Sequence, residues 1–159
     1  MSIREGDRIP QVNFTHMTSD GPKPISSDEV FAGKKVVLFA LPGAFTPTCS
    51  ASHLPGFVVN ADKLKAAGVD TIACLSVNDA FVMDAWGKSQ NAEELLMLAD
   101  GSADFTKAMG LELDLVERGM GVRSQRYAML VDDGVVTKLN VEAPGKFEVS
   151  SAEAMMALL

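Results

Sequence analysis

Cys49 is the residue of this sequence whose surroundings most clearly indicate chemistry. It belongs to PGAFTPTCS (residues 42–50), which follows KVVLFAL, an apolar run typical of a buried strand. If Thr46 is the N-cap of a helix, Pro47 occupies the first helical position, where a missing N–H is tolerated. Cys49 then lies in the first helical turn, where free backbone N–H groups and the helix dipole favour a thiolate over a thiol. We therefore interpret Cys49 as a reactive cysteine.

The other cysteine and the two histidines are less informative. Cys74 stands in the middle of the apolar run TIACLSV and is expected to pack in the core. His53 follows Cys49 by four residues, one helical turn, so contact with the site and structural support by packing or capping both stay open. His16 is expected to be structural. These positions give no zinc-ligand spacing, so we expect neither a metal nor another cofactor.

Several thiol chemistries conflict with the residues around Cys49. A dithiol oxidoreductase of the Cys-x-x-Cys type is excluded because Ser52 stands at the second position. A phosphatase places an arginine soon after the nucleophile, whereas the next arginine here is Arg118. A cysteine protease needs a paired histidine base, and the role of His53 is undecided. A reaction that fits is attack of the thiolate on a peroxide O–O bond, which converts the cysteine to a sulfenic acid.

Attack on a peroxide requires donors for the departing oxygen, because hydroxide and alkoxide are poor leaving groups. Thr46 is able to accept a backbone N–H as a cap while its own O–H donates into the pocket. A nearby guanidinium would stabilise both the thiolate and the developing charge. Three arginines precede the YAMLV run, and the residues alone do not decide among Arg118, Arg123 and Arg126.

The elements that position Cys49 alternate between strand-like and helix-like patterns. The strand-like runs are QVNFTHM, KKVVLFAL, DTIACLSV and ELLMLAD. The helix-like runs are SSDEVFAG, a long segment ending at Gly68, DAFVMDAWGKSQ, ADFTKAMG and SSAEAMMALL. Pro55 is predicted to kink the long helix or to break it in two, and Ser150 or Ser151 is predicted to cap the last helix.

The order of these elements indicates the fold class. RYAMLVDDGVVTKLNVE is predicted to form a hairpin with Asp133 and Gly134 in its turn. Together with the alternating elements, this predicts a single α/β domain over residues 1–159, with a mixed central sheet flanked by helices. KKVVLFAL brings Cys49 to the carboxyl edge of that sheet, where open α/β sheets bind their ligands.

Composition and charge restrict the partners of the protein. The chain has 159 residues, of which 47% are hydrophobic, and its formal net charge is −7 with scattered lysines and arginines. This argues against nucleic acid and membrane surfaces as partners, and no apolar stretch approaches the ~18 residues of a membrane span. MSIREGDRIP at the N-terminus has no apolar signal region, and two cysteines are too few for a disulfide framework. We therefore expect a cytoplasmic protein.

PGAFTPTCSASHLPGF strongly resembles the active-site motif of the peroxiredoxins, Pro-x-x-x-Thr-x-x-Cys. The extension HLPGF resembles the type II, or peroxiredoxin-5-like, subfamily. The likeness continues through ACLSVNDAFVMDAWG, LLMLAD, QRYAMLVDDG and LNVE, so it spans most of the chain. The resemblance implies a thioredoxin-like fold and an antioxidant enzyme that reduces hydrogen peroxide and alkyl hydroperoxides with the help of a thiol.

The resemblance also implies a role for each residue of the motif. Cys49 is the peroxidatic cysteine, and Pro42 shapes the pocket and shields the thiolate. Thr46 hydrogen-bonds to the sulfur and the substrate. Arg126, in QRYAML, matches the arginine of the family, which decides among the three candidates. Gly43 and Cys49 would offer backbone N–H groups to the bound peroxide.

Members of the subfamily often dimerise through loops beside the active site. The candidate contacts here are Phe45, Phe81 and Trp86, for which core packing is the alternative. Some relatives carry a resolving cysteine near the C-terminus, but EAPGKFEVSSAEAMMALL contains none. We therefore predict a one-cysteine cycle in which an external thiol reduces the sulfenic acid at Cys49. In relatives that thiol is glutathione, often with glutaredoxin, or thioredoxin.

Two other classes of protein compete with the enzyme. A redox sensor would form the same sulfenic acid without useful turnover. A catalytically inactive binding domain would keep the fold but not the full set of active-site residues. The presence of Pro42, Thr46, Cys49 and Arg126 together disfavours it. Turnover with a thiol reductant separates the enzyme from the sensor.

Overall fold

The computed structural model describes residues 2–159 and consists of alternating strands and short helices. The strands are β1 (Asn13–Thr18), β2 (Gly21–Ser26), β3 (Lys35–Ala40), β4 (Thr71–Ser76), β5 (Leu96–Ala99), β6 (Glu112–Leu115), β7 (Gly121–Ser124), β8 (Tyr127–Asp132) and β9 (Val135–Val141). The helices are α1 (Ser27–Phe31), α2 (Leu54–Val59), α3 (Ala61–Ala66), α4 (Ala80–Ser89), α5 (Asp104–Met109) and α6 (Ala152–Met156). A π-helical turn spans Cys49–His53, and a 3-10 turn spans Val116–Arg118.

Seven of the strands form one mixed sheet in the order β2-β1-β5-β4-β3-β8-β9. The pairs β3–β4 and β4–β5 are parallel, and the remaining pairs are antiparallel. β6 and β7 form a separate two-stranded ribbon. The mixed α/β sheet predicted from the alternation of patterns is therefore present, with β3 and β4 at its centre.

Both faces of the sheet are covered, which explains the continuous apolar runs of the central strands. On β3, Val37 and Phe39 face a core shared with α2, α3, α4 and α6. Val36 and Leu38 face a second core shared with α1 and α5. Phe39 stacks on Phe57 of α2, with ring centroids 4.0 Å apart. Replacing a buried phenylalanine of this kind with alanine would cost about 3–5 kcal/mol of stability.

The long helix predicted to end at Gly68 is divided into three pieces. It begins at Pro47, passes through the π-helical turn, and continues as α2 and α3, which meet at Asn60. Pro55 lies in the first turn of α2, where its missing N–H is tolerated. The helix thus changes from π to α beside Pro55, where a break was predicted. The second break, at Asn60, was not predicted.

The other predicted signals correspond to observed elements. α1 begins with a capping box between Ser26 and Glu29, and Ser151 caps α6 by accepting from the backbone N–H of Ala154. The β8–β9 hairpin turns at Asp133 and Gly134, both with positive φ. Among the described residues, no helix is both long and apolar enough to cross a membrane.

Candidate active site

The register of the sheet brings Cys49 and Arg126 to the same place. Ala40, the last residue of β3, pairs with Tyr127, the first residue of β8. The chain that leaves β3 towards Cys49 and the residue that precedes β8 therefore lie at one edge of the sheet. Across this edge, Nη2 of Arg126 donates to Sγ of Cys49 at 3.1 Å.

Cys49 is wholly buried and is the third residue of a helix that begins at Pro47. The backbone N–H of Ser50 donates to the carbonyl oxygen of Thr46 at 2.9 Å, so the helix starts where the sequence predicts. A cation and a helix N-terminus both act on the sulfur, and both favour its anionic form.

The hydroxyl group of Thr46 differs from the expectation. It donates to the carbonyl oxygen of Gly43 at 2.6 Å, whereas we expected it to cap the helix and to donate into the pocket. A hydroxyl has one proton and two lone pairs, so with the proton held by Gly43 the oxygen is left as an acceptor. Towards any molecule in the pocket, Thr46 therefore offers an acceptor rather than a donor.

Arg126 makes a second contact that defines the state of His53. Nη1 of Arg126 lies 2.8 Å from Nδ1 of His53, and Nε2 of His53 lies 2.9 Å from the carbonyl oxygen of Ser150. Arginine only donates and a carbonyl only accepts, so Nδ1 is the acceptor and Nε2 carries the proton. Burial and the charge of Arg126 lower the pKa of His53 to about 3. His53 is therefore a neutral, wholly buried imidazole that contacts the site.

Glu142, which the sequence analysis did not single out, organises the chain next to His53. Its carboxylate accepts from the backbone N–H groups of Glu148, Val149 and Ser150, and from the hydroxyl of Ser150, at 2.7–2.9 Å. Burial alone would raise the pKa of Glu142, but these hydrogen bonds lower it below its usual value. The only signal in the sequence is an acid that directly follows the strand pattern LNV.

The other two candidate arginines lie elsewhere. Arg123 donates from Nε to the carbonyl oxygen of Met120 at 2.8 Å and from Nη1 to that of Pro42 at 3.4 Å. It therefore braces the loop before Cys49 rather than the thiol. Arg118 is exposed in the 3-10 turn.

The loop that carries Pro42 and Gly43 is closely packed. A Cβ at Gly43 would lie 3.0 Å from Nη1 of Arg123 and 3.2 Å from Cγ2 of Thr46. The next backbone N–H, that of Ala44, donates to Oδ1 of Asn78 at 2.9 Å, a contact that sequence reasoning did not foresee. The close approach of Arg123 and Thr46 explains why a glycine stands at position 43.

A cleft of about 320 Å³ opens beside Arg126. Its lining includes Pro42, Thr48, Gln125 and the loop of residues 143–147. Phe147 closes one side, with its ring centroid 5.8 Å from Cζ of Arg126. Within residues 2–159 the structure contains no group of three or more histidine, cysteine, aspartate or glutamate side chains that could hold a metal ion.

The three aromatic candidates for a dimer contact have different environments. Phe45 is 57% exposed and Phe81 is 65% exposed. Trp86, however, is wholly buried, and its Nε1–H donates to Oγ of Ser50 at 3.0 Å. The expectation that Trp86 contacts a partner is therefore wrong, because its indole belongs to the core beneath the active site. Cys74 is also wholly buried, and burial raises the pKa of its thiol.

Comparisons with known proteins agree over nearly the whole chain. The family model described as Redoxin matches residues 4–156. The chain is 50% identical to Peroxiredoxin-2E, chloroplastic, of Arabidopsis thaliana, with coverage of 99% of this chain and 70% of the relative. It is 49% identical to Peroxiredoxin-2D of the same plant, with 99% and 98% coverage. The crystal structure of reduced Prx3 in complex with H₂O₂ from Vibrio vulnificus superposes with a TM-score of 0.96 at 62% identity, covering 98% of each chain.

Proposed function

This chain belongs to the redoxin family and, within it, to the peroxiredoxins, and on that premise we propose that Cys49 is its peroxidatic cysteine. Membership confirms the predicted thioredoxin-like fold and the predicted activity, which is thiol-dependent reduction of peroxides. The observation that supports the assignment of Cys49 is the 3.1 Å hydrogen bond that its Sγ accepts from Arg126.

In the first step, the thiolate of Cys49 attacks the terminal oxygen of a hydroperoxide. A new S–O bond forms as the O–O bond breaks, and the electron pair of that bond leaves with the second oxygen. Sulfur is oxidised to a sulfenic acid, and the leaving hydroxide or alkoxide takes up a proton to become water or an alcohol. Hydrogen peroxide and alkyl hydroperoxides are both substrates in this proposal.

Besides Cys49 itself, four residues assist this step in our proposal. Arg126 stabilises the thiolate and the charge that develops on the leaving oxygen. The oxygen of Thr46 accepts a hydrogen bond from the O–H of the attacked peroxide, because its own proton is donated to the carbonyl oxygen of Gly43. Pro42 lines the cleft beside Arg126, and in this proposal it shields the sulfur from water. Backbone N–H groups of Gly43 and Cys49 complete the peroxide site.

We further propose that the cycle uses one cysteine. An external thiol attacks the sulfenic sulfur of Cys49 and releases water, and a second thiol then displaces Cys49 from the mixed disulfide. Cys74 is disfavoured as the resolving thiol because it lies inside β4, between two neighbouring strands, with its pKa raised by burial. The proposed reductant is either glutathione, acting alone or with glutaredoxin, or thioredoxin. In each case the reducing thiol belongs to a molecule other than this chain.

The experiment combines stopped-flow oxidation with mass spectrometry. Reduced protein is mixed with one equivalent of hydrogen peroxide, and Cys49→Ser and Cys74→Ser are treated in parallel. We expect oxidation of the wild type and of Cys74→Ser, a sulfenic acid trapped on Cys49, and an unreactive Cys49→Ser. A disulfide between Cys49 and Cys74 would contradict the one-cysteine cycle while leaving the role of Cys49 intact.

Turnover distinguishes the enzyme from a redox sensor. Peroxide consumption is followed with glutathione alone, with glutathione and glutaredoxin, and with thioredoxin and its reductase. Continuous consumption with at least one of these systems supports the proposed cycle and identifies the reductant. A single stoichiometric oxidation with all three would instead favour the sensor.

We also propose that the chain is a single cytoplasmic domain that forms a homodimer through exposed aromatic residues near the active site. Phe45 adopts φ 64, an unusual conformation for a phenylalanine, and its ring is exposed. Phe81 is exposed at the start of α4. Sedimentation of the wild type and of Phe81→Asp over a range of concentrations tests the dimer. Identical monomeric behaviour of the two would contradict it.

A further inference from the structure

A continuous set of hydrogen bonds connects the loop before α6 to the sulfur of Cys49. Glu142 holds the backbone N–H and the hydroxyl of Ser150, whose carbonyl oxygen accepts from His53. His53 in turn accepts from Nη1 of Arg126, which reaches Cys49 through Nη2. His53 and Ser150 are 97 positions apart, and Arg126 and Cys49 are 77 apart. These contacts therefore depend on the tertiary fold.

The guanidinium of Arg126 is fixed through both of its terminal nitrogens. The group is planar, so an acceptor at Nη1 determines the direction in which Nη2 donates. Without that acceptor, the long side chain of Arg126 would populate several rotamers beside the open cleft. Contact with the sulfur would then cost conformational entropy. The partner at Nη1 therefore decides how much of the time Nη2 faces Cys49.

The partner at Nη1 is a neutral imidazole and not a carboxylate. A carboxylate would also orient the arginine, but it would compensate the positive charge that the thiolate and the leaving oxygen need. His53 is surrounded by the rings of Phe39, Phe57 and Phe147, with centroids 5.0, 5.8 and 4.9 Å from its own. This apolar shell disfavours the imidazolium. The Nε2–H bond to Ser150 leaves Nδ1 free to accept.

We propose that His53 is a positioning residue for peroxide reduction: held as the neutral Nε2–H tautomer by Ser150, it orients Arg126 towards Cys49 without compensating the charge of the guanidinium. Glu142 is the anchor of this arrangement because it fixes the segment that presents the carbonyl of Ser150. The inference rests on the proposed role of Arg126 in the reaction.

Two amide substitutions separate the two contacts of His53. The side-chain oxygen of His53→Asn lies near the position of Nδ1 and keeps an acceptor for Arg126, while the contact with Ser150 is lost. The amide nitrogen of His53→Gln reaches towards Ser150 in place of Nε2 and leaves Arg126 without its acceptor. The second-order rate constant for oxidation of Cys49 by hydrogen peroxide is measured for both, with His16→Asn as the control for loss of a histidine.

We expect His53→Gln to slow the reaction by on the order of ten-fold or more, as loss of an orienting partner commonly does. His53→Asn should recover most of the wild-type rate, and His16→Asn should leave the rate unchanged. Equal rates for the Asn and Gln variants would overturn the proposal, because a packing role does not distinguish the two amides. Near-ultraviolet circular dichroism establishes that each variant is folded before its rate is compared.

A double-mutant cycle tests whether His53 acts through Arg126. His53→Leu is measured alone and in the Arg126→Ala background. If His53 acts only by orienting the guanidinium, His53→Leu slows the wild type but has no further effect when Arg126 is absent. Equal fold-losses in the two backgrounds would assign His53 a structural role and overturn the proposal. A wild-type rate for Arg126→Ala would instead contradict the proposed function of Arg126, and the positioning role with it.

Discussion

Arg126 and His53 share a hydrogen bond of 2.8 Å in which the charged group donates and a neutral ring accepts. The same guanidinium donates to Sγ of Cys49, so one side chain contacts both the sulfur and the buried imidazole of His53. A peroxidase that oriented this arginine with a carboxylate would weaken its field at the sulfur. The pairing of Arg126 with a neutral acceptor therefore fixes the orientation of the guanidinium and leaves its positive charge uncompensated.

The first prediction concerns the shape of the cation at position 126. Arg126→Lys keeps the charge, but an ammonium cannot contact both His53 and Cys49 in the fixed fork of a guanidinium. We expect Arg126→Lys and Arg126→Ala each to slow oxidation of Cys49, the alanine variant by about 10²–10³-fold. Stopped-flow mixing with hydrogen peroxide measures both. A lysine variant as fast as the wild type would show that charge alone suffices.

The second prediction concerns the hydroxyl group at position 46. Thr46→Val keeps the volume of the side chain but removes the hydrogen bond to Gly43 and, with it, the proposed acceptor for the peroxide. We expect it to lose peroxide reactivity while the fold survives, whereas Thr46→Ser should retain most of the rate because its hydroxyl remains. Peroxide kinetics and thermal unfolding are measured on both variants. Equal rates for the valine and serine variants would contradict a role for the oxygen.

The third prediction concerns the dependence of stability on pH. His53 has a pKa of about 3 in the folded protein and about 6.5 when unfolded, so between these values the unfolded state binds a proton that the folded state does not. Stability therefore rises with pH through this window and is lost as the pH falls. From pH 6.5 to pH 5 the expected loss due to His53 is about 2 kcal/mol.

Urea unfolding of the wild type and of His53→Asn at several pH values measures that loss. The variant should show a shallower decline between pH 6.5 and pH 5, whereas His16→Asn should decline like the wild type. Glu142 acts in the same direction at lower pH, because its folded pKa is lowered and its stabilising contribution is lost on protonation. Parallel curves for the wild type and His53→Asn would show that the pKa of His53 is the same in the folded and the unfolded state, which contradicts the prediction.

The fourth prediction concerns glycine in the loop before the cysteine. In Gly43→Ala the new methyl group meets Arg123 and Thr46 at 3.0–3.2 Å, so one of these side chains must move. We expect slower oxidation of Cys49 because Thr46 and the loop backbone shift. Gly56→Ala in α2 is the matched control, since, apart from its chain neighbours and the backbone of its own helix, its Cβ would meet no atom of residues 2–159 within 4 Å. The control should keep its rate and gain about 0.5–1 kcal/mol of stability.

Local signals in the sequence were sufficient for the central elements and for the place of Cys49. β3 and β4 are continuous apolar runs, the turn of the last hairpin is an Asp-Gly pair, and Pro47 marks the helix start. In each of these cases, the residues that decide the structure are neighbours in the chain. The edge strand β2 escaped prediction because Pro22 and Pro24 interrupt its pattern, a composition that only an edge strand tolerates.

Contacts between distant segments were not predictable in the same way. The residues alone did not decide among the three arginines, because the choice depends on the pairing of β3 with β8. The resemblance pointed to Arg126 through the match of QRYAML to the family. The role of His53 depends on the carbonyl of Ser150, a backbone group that any residue would provide. The burial of Trp86 is not predictable from its neighbours in the chain, because it depends on which face of α4 meets the sheet.

The hydrogen bond between Trp86 and Ser50 makes the fluorescence of the indole sensitive to the helix that carries Cys49. Trp86 is the sole tryptophan of the chain, and it donates to Ser50, the residue that follows Cys49. A change in the helix that carries Cys49 therefore alters the environment of one indole, whose ultraviolet emission is free of contributions from other tryptophans. Reduction and oxidation can accordingly be followed by intrinsic fluorescence in unlabelled protein.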